Sequence, residues 1–225
     1  MKNQHTVPAR VILRFMQDRR PAMLDLLRRM AEFESPSDVP AAQAGITAII
    51  AAELEQRGLK VEQIPGEKSG GMIHARARGG PGARAQLILG HYDTVWPIGT
   101  LESMPFRQDG DTVHGPGVYD MKGGVAQAML AFDALNHFGL ECEVTPHVFL
   151  NSDEEIGSRE SRPWIEKLAP KMERVFVLEP SLGPAGQLKT ARKGIGRYTI
   201  SVSGEAARAG LDPGAGARAI VDLSH

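Results

Sequence analysis

Cysteine is almost missing from this sequence. Cys142 is the one thiol in 225 residues, which excludes an intramolecular disulfide and a thiolate cluster around a structural zinc. Any metal must therefore be held by imidazole and carboxylate. An excess of either charge is missing too: 26 Lys and Arg nearly balance 27 Asp and Glu, so nothing electrostatic points to a nucleic-acid partner. The N-terminal stretch MKNQHTVPARVILRFMQDRRPAMLDLLRRM has no long apolar run, because Arg10, Arg14, Asp18, Arg19 and Arg20 interrupt it. Neither a signal peptide nor a membrane span is expected there, and the reading is a cytoplasmic protein with no membrane partner. A phosphate-cradling loop is also absent. Gly123 and Gly124 lack the Gly-Lys-Ser/Thr pattern and read as glycines that permit close packing.

What is present is ordinary globular material, 42% hydrophobic and 24% charged, which separates the chain from disordered and fibrous classes. Its length suits one α/β unit plus part of another. From Pro21 to Phe33, Met23, Leu24, Leu27 and Met30 recur at helical spacing. A second helix is expected through AAQAGITAIIAAELEQRG, with Gly58 as its stop. LKVEQIP and MIHARAR read as strands, and GGPGAR as a tight hairpin-type turn into AQLILG, a continuous apolar run of the kind covered on both faces. A helix over Asp120 to Phe138, a strand in EVTPHVFLNS, a helix around SRPWIEKLA and a strand in ERVFVLEP follow. Such alternation predicts a mainly parallel sheet between helices. Beyond Lys189, LKTARKGIGRYTISVSG reads as a long strand opening a second, smaller domain, and AIVDLSH as an amphipathic helix.

Polar clusters fall just after the expected strands. His91 and Asp93 follow LILG, Asp120 follows HGPGVY, Glu154 and Glu155 follow VFLNSD, and Glu179 follows FVL. Ligands of open α/β sheets bind beyond the carboxyl ends of the strands, where these clusters would converge. One imidazole with several carboxylates suits zinc, with cobalt or manganese as substitutes. Each cluster has a plainer reading: a turn for His91 and Asp93, a helix N-cap for Asp120, a solvated helix start for the Glu pair, a strand end for Glu179. Together they are harder to dismiss, because carboxylates crowded in one crevice repel and need a cation. His114 and His147 read as exposed or strand-packed, Trp96 and Trp164 as packing residues with Trp96 near the pocket, and Cys142 as an inert thiol.

LILGHYDTVWPIGTL, GPGVYDMKGG, LNSDEEIGS, VLEP and TARKGIGRYTISVSG resemble, in order, the motifs of the zinc metallopeptidase family that includes glutamate carboxypeptidase, acetylornithine deacetylase, succinyl-diaminopimelate desuccinylase and the aminoacylases. HYDTVWPIGTL and ARKG are most similar to the glutamate carboxypeptidase branch. The resemblance implies a three-layer αβα catalytic domain over residues 1–190 and the beginning of a small α+β lid or dimerisation domain over 191–225. It implies two divalent ions, zinc foremost, with His91 and Asp120 as ligands, Asp120 bridging, and Glu155 and Glu179 each on one ion. Asp93 would orient His91, Glu154 would be the general base, and the Asp120–Met121 peptide would be cis. The implied reaction is hydrolysis of an amide next to a C-terminal amino acid by a homodimer in full-length form, on a small peptide or N-acyl amino acid. Deacylation by the same mechanism, or an inactive fragment, are the alternatives.

Two departures from the family pattern stand out. AARAG places Arg208 where the family has a histidine that stabilises the oxyanion, and Arg is longer and permanently charged. Family members are also close to twice as long, so the remaining lid, the return of the catalytic domain and the last His ligand are expected beyond residue 225; His225 is in the wrong context to serve.

Overall fold

A computed structural model describes residues 7–79 and 84–191, together with 193, 194, 196, 198–206, 211 and 219–224. The chain divides into two compact units, Met1–Pro180 and Ser181–His225. In the first unit the helices are α1 (Ala9–Asp18), α2 (Arg20–Ala31), α3 (Ala44–Gln56), α4 (Thr100–Ser103), α5 (Gly123–Phe138) and α6 (Arg162–Leu168). Its strands are β1 (Lys60–Ile64), β2 (Met72–Arg76), β3 (Ala85–His91), β4 (Arg107–Asp109), β5 (Thr112–His114), β6 (Thr145–Asn151) and β7 (Arg174–Val177). β4 and β5 form a separate hairpin.

The main sheet has the order β1-β2-β6-β3-β7. β3 pairs parallel with both β6 and β7, while β2 is antiparallel to β1 and β6, so β2 is the single reversed strand in a mainly parallel sheet. Period-2 alternation divides the apolar residues between the faces. Ile73, Ala75, Val148 and Leu150 meet one helical layer, whose inward stripes are Leu27 and Met30 on α2, Ile46, Ile50 and Leu54 on α3, and Val125, Met129 and Phe132 on α5. The opposite face turns Met72, Leu87 and Phe149 toward Trp164, Ile165 and Leu168 in and around α6. These are the three αβα layers. Each fully buried Leu, Ile or Phe contributes about 1.5–3 kcal/mol, so the thicker layer carries most of the stability.

Three local expectations are corrected. Strands β2 and β3 are not a hairpin: β6 lies between them. Strand β6 is apolar on both faces, with only His147 less than buried, and burial favours it at the centre over the half-exposed alternatives. The turn itself includes residues 80–83, outside the described residues. The helix expected from Asp120 begins at Gly123, because Asp120 and Met121 have non-helical dihedrals in the kinked turn Val118–Lys122. In the second unit, no described residue of 188–204 belongs to a strand, and Tyr198 and Ile200 are 90% and 75% exposed. Alternation creates an apolar face, but a strand exists only through ladder bonds to a neighbour. A short helix, α7 (Ala219–Leu223), is present where AIVDLSH suggested one. Among the described residues no helix is long and apolar enough to cross a membrane.

Candidate metal centre

The site stands at the carboxyl ends of β3, β6 and β7, which the parallel pairing brings to one edge. A Cβ at Gly90 would lie 2.8 Å from Met121 Cε and 3.2 Å from Leu150 Cδ2, so the glycine leaves room for the Met121 side chain beside the strand. The next residue, His91, is fully enclosed, and its backbone N–H points to Met121 Sδ at 3.3 Å.

Both ring nitrogens of His91 are assigned. Nδ1 donates to the Asp93 carbonyl at 3.0 Å, with Asp93 Oδ1 at 3.2 Å. That leaves Nε2 facing the cleft, 3.2 Å from Asp120 Oδ1, 3.7 Å from Glu179 Oε1 and 3.9 Å from Glu154 Oε2. Asp93 has no exposed surface. Its Oδ1 also accepts the Glu154 N–H at 3.3 Å, and Oδ2 accepts the Glu155 N–H at 3.2 Å and the Ser37 hydroxyl at 2.6 Å. Asp93 thus orients the imidazole through its carbonyl, with the carboxylate alongside, and its carboxylate holds the turn after β6.

His91, Asp120 and Glu179 offer ligand atoms all within 4.8 Å of one another. Glu155 is outside that close group but near enough to interact electrostatically with His91 and Asp120. Asp120 is presented by the turn before α5, and the Asp120–Met121 peptide is cis. Glu179 arrives two residues after β7, where Gly124 matters: a Cβ there would lie 2.2 Å from the Leu178 carbonyl oxygen. The absent side chain lets the exit of β7 approach the start of α5, and so brings Glu179 to Asp120.

The electrostatics are those of crowded acids around one base. Burial opposes charge on His91, but its hydrogen bond to Asp93 and the attraction of Asp93, Glu154 and Glu179 outweigh it and raise its pKa to about 9. Burial and the neighbouring Asp120 push Glu179 up to about 7. Burial also raises Glu155, helped by Asp120 and Glu154 and opposed by His91.

Peptidase family M20/M25/M40 matches residues 87–222, a stretch that contains His91, Asp93, Asp120, Glu154, Glu155 and Glu179. The chain belongs to this family. It is 30% identical over 221 residues to carboxypeptidase G2 of Pseudomonas sp. strain RS-16, covering 95% of this chain and 52% of that protein. It is 31% identical over 186 residues to succinyl-diaminopimelate desuccinylase of Xylella fastidiosa strain M12, covering 75% and 46%. The chain spans about half the length of these curated relatives. Human carnosine dipeptidase 1 shares the fold, with a TM-score of 0.66 at 18% identity over 76% of this chain and 41% of that one. Aminopeptidase PepT of Bacillus cereus does so with a TM-score of 0.64 at 15% identity over 93% and 55%.

The M20 residues present fit a divalent metal. Ligands of a tetrahedral zinc with bonds of about 2.0–2.2 Å stand roughly 3.3–3.5 Å apart, and His91 Nε2 has carboxylate oxygens at 3.2 and 3.7 Å. The raised carboxyl of Glu179 reports the same need for a cation. Arg208 and His225 lie outside the described residues.

Sequence reasoning missed the supports. Lys122 is fully buried, donates from Nζ to the Phe33 carbonyl at 3.0 Å, and is lowered to about 7 by burial against the attraction of Glu34 and Asp93. Glu34 accepts the N–H groups of Gly99 and Leu101 at 2.8 and 2.9 Å, tying down the loop that carries Trp96. The polar run FESPS after α2 was the available signal, hidden in a Pro-rich break. The plainer readings fare differently: Trp164 packs against the smaller cluster, Trp96 is 41% exposed, and His147 pairs with His74 across β6 and β2 at 3.1 Å. Cys142 is an exposed free thiol whose pKa is raised by partial burial, the reverse of an activated thiolate.

Proposed function

We propose that the full-length protein is a zinc-dependent exopeptidase of the carboxypeptidase type, acting as a homodimer on a small peptide or N-acyl amino acid. The observation that carries this reading is the meeting of His91, Asp120 and Glu179 at the carboxyl edge of the sheet, with the exposed Glu154 carboxylate beside them. Two divalent ions would be held by His91, Asp120, Glu155 and Glu179, with Asp120 shared. When bound they supply Lewis acidity toward the scissile carbonyl and toward water.

The protein's own residues do the rest. Glu154 accepts a proton from the attacking water and returns it to the leaving amine, a role worth about 10²- to 10⁴-fold in rate. Its backbone N–H is fixed by Asp93 while its carboxylate remains open to solvent, so the base is anchored at the main chain and free at the tip. His91, turned inward by Asp93, places its lone pair on Nε2 for the metal.

The likeness to the desuccinylase supports a second reading, an N-acyl amino acid deacylase with the same machinery. A substrate panel separates the two. The full-length protein with zinc is expected to release the C-terminal amino acid, and Glu154→Gln to lower kcat by at least about 10²-fold with metal content unchanged. Release confined to N-succinyl or N-acetyl substrates would favour the deacylase. Undiminished turnover by the variant would overturn the role of Glu154.

A further inference from the structure

We propose that Ser37 is a positioning residue of the metal centre, acting through Asp93. The inference rests on the metal-centre reading above and adds a residue from outside the strand-end motifs. Asp93 is the hub of the site, and its hydrogen bonds are unequal. His91 Nδ1 and the Glu154 N–H approach Oδ1 at 3.2 and 3.3 Å, and the Glu155 N–H approaches Oδ2 at 3.2 Å. The Ser37 hydroxyl, at 2.6 Å from Oδ2, is the shortest. A hydroxyl donating to an ionised carboxylate at that distance is a charge-assisted bond, roughly twice as strong as a neutral one. Ser37 therefore fixes the rotation of the carboxylate that accepts the Glu154 and Glu155 N–H groups and stands 3.2 Å from the His91 ring.

Ser37 does not need its hydroxyl to stay in place. Its N–H donates to the Thr94 carbonyl at 3.2 Å, the Thr94 N–H donates to Ser35 O at 2.9 Å, and Ser35 Oγ donates to Tyr92 O at 2.7 Å. Pro36 and Thr94 form a parallel bridge. Segment 35–37 is thus strapped along the exit of β3 by main-chain bonds that survive loss of Oγ. The second acceptor within reach of that hydroxyl, Thr94 O, is at 3.4 Å, so the proton goes to Asp93. With Ser37 only 4% exposed, water does not readily replace the lost donor.

The test uses the full-length protein as wild type, Ser37→Ala and Ser37→Thr. Zinc affinity is measured by competition with a chromophoric chelator, the cobalt(II) form by its visible absorption spectrum, and the metal-free form by its Tm. Ser37→Ala is expected to bind zinc about 10- to 100-fold more weakly, with an altered cobalt spectrum and a metal-free Tm close to wild type. Ser37→Thr is expected to restore both affinity and spectrum. Unchanged affinity and spectrum in Ser37→Ala would overturn the proposal, as would loss in both variants together with a lowered Tm, which marks a packing role. Failure of the wild type itself to bind zinc or cobalt would overturn the metal-centre reading, and this inference with it.

Discussion

The exits of β3 and β7 deliver candidate ligand side chains to the same place by opposite means. Strand β3 lies between β6 and β7, and the residues that follow it, His91 to Thr94, are all buried. His91 and Asp93 there are bonded to Ser37 and to the turn after β6. Strand β7 is the last strand of the sheet, and Val175, Phe176 and Val177 are 39–55% exposed. Glu179 beyond it depends on the Leu178 N–H to Leu89 O bond at 3.2 Å and on the close approach to Gly124. One side of the site is preorganised by a buried polar network; the other is placed by backbone contact at an edge. Buried networks lose heavily when any member is removed, whereas an edge can shift.

Breaking the β3 side should have the largest effect. Asp93→Ala removes the acceptor of Ser37 and of two backbone N–H groups and the carboxylate 3.2 Å from His91 Nδ1, and is expected to lower stability by about 3–5 kcal/mol in urea unfolding while abolishing tight zinc binding. A loss below about 1 kcal/mol would show that the network is not cooperative. Breaking the β7 side is milder. Gly124→Ala forces the Leu178 carbonyl away and is expected to cost about 1–3 kcal/mol, with weakened zinc binding as Glu179 retreats from Asp120. Equal metal affinity in the two variants would erase the distinction between the exits.

The smallest effect, and the one that sharpens the comparison, is the response to pH. His91 has a folded pKa of about 9 against an ordinary 6.5, so its charge stabilises the metal-free protein fully below 6.5, and this is lost as pH rises through 9. Glu179, raised from 4.5 to about 7, holds its proton more tightly when folded, so stability also falls as pH rises from 4.5 through 7. Both groups must shed protons to bind metal, so zinc affinity is expected to rise across the same range. Lys122, lowered from 10.5 to about 7, works the other way and adds stability as pH rises from 7. The His91 share is therefore read by difference: with chelator, the urea midpoint of wild type relative to His91→Gln should fall from pH 6.5 to about 9, and added zinc should oppose the fall. A difference between the two proteins that stays constant across that range in chelator would contradict the His91 shift.

Much of this was legible before any coordinates. The helical stripe of α2, the helix expected over α3 and the apolar run of β3 announced the layers, because 3.6- and 2-residue periods record which side faces a core. The meeting of His91, Asp120 and Glu179, with Glu154 beside them, was legible in their placement after strands and in motif order. The hairpin misreading of β2 and β3 shows the limit: pairing is a contest among all strands, and β6 arrives some sixty residues after β3 begins.

The sequence by itself determined the chemistry available here: a single thiol, balanced charge, and an imidazole with carboxylates spaced to follow successive strands. Tertiary structure alone decided which of them meet. His91 Nε2 faces Asp120 while Nδ1 turns to Asp93, and Asp93 in turn accepts the Ser37 hydroxyl from 56 positions away and the Glu154 and Glu155 N–H groups. Local patterns encode periodicity and composition. A hydrogen bond between distant residues depends on how whole layers pack, and no window of sequence contains that.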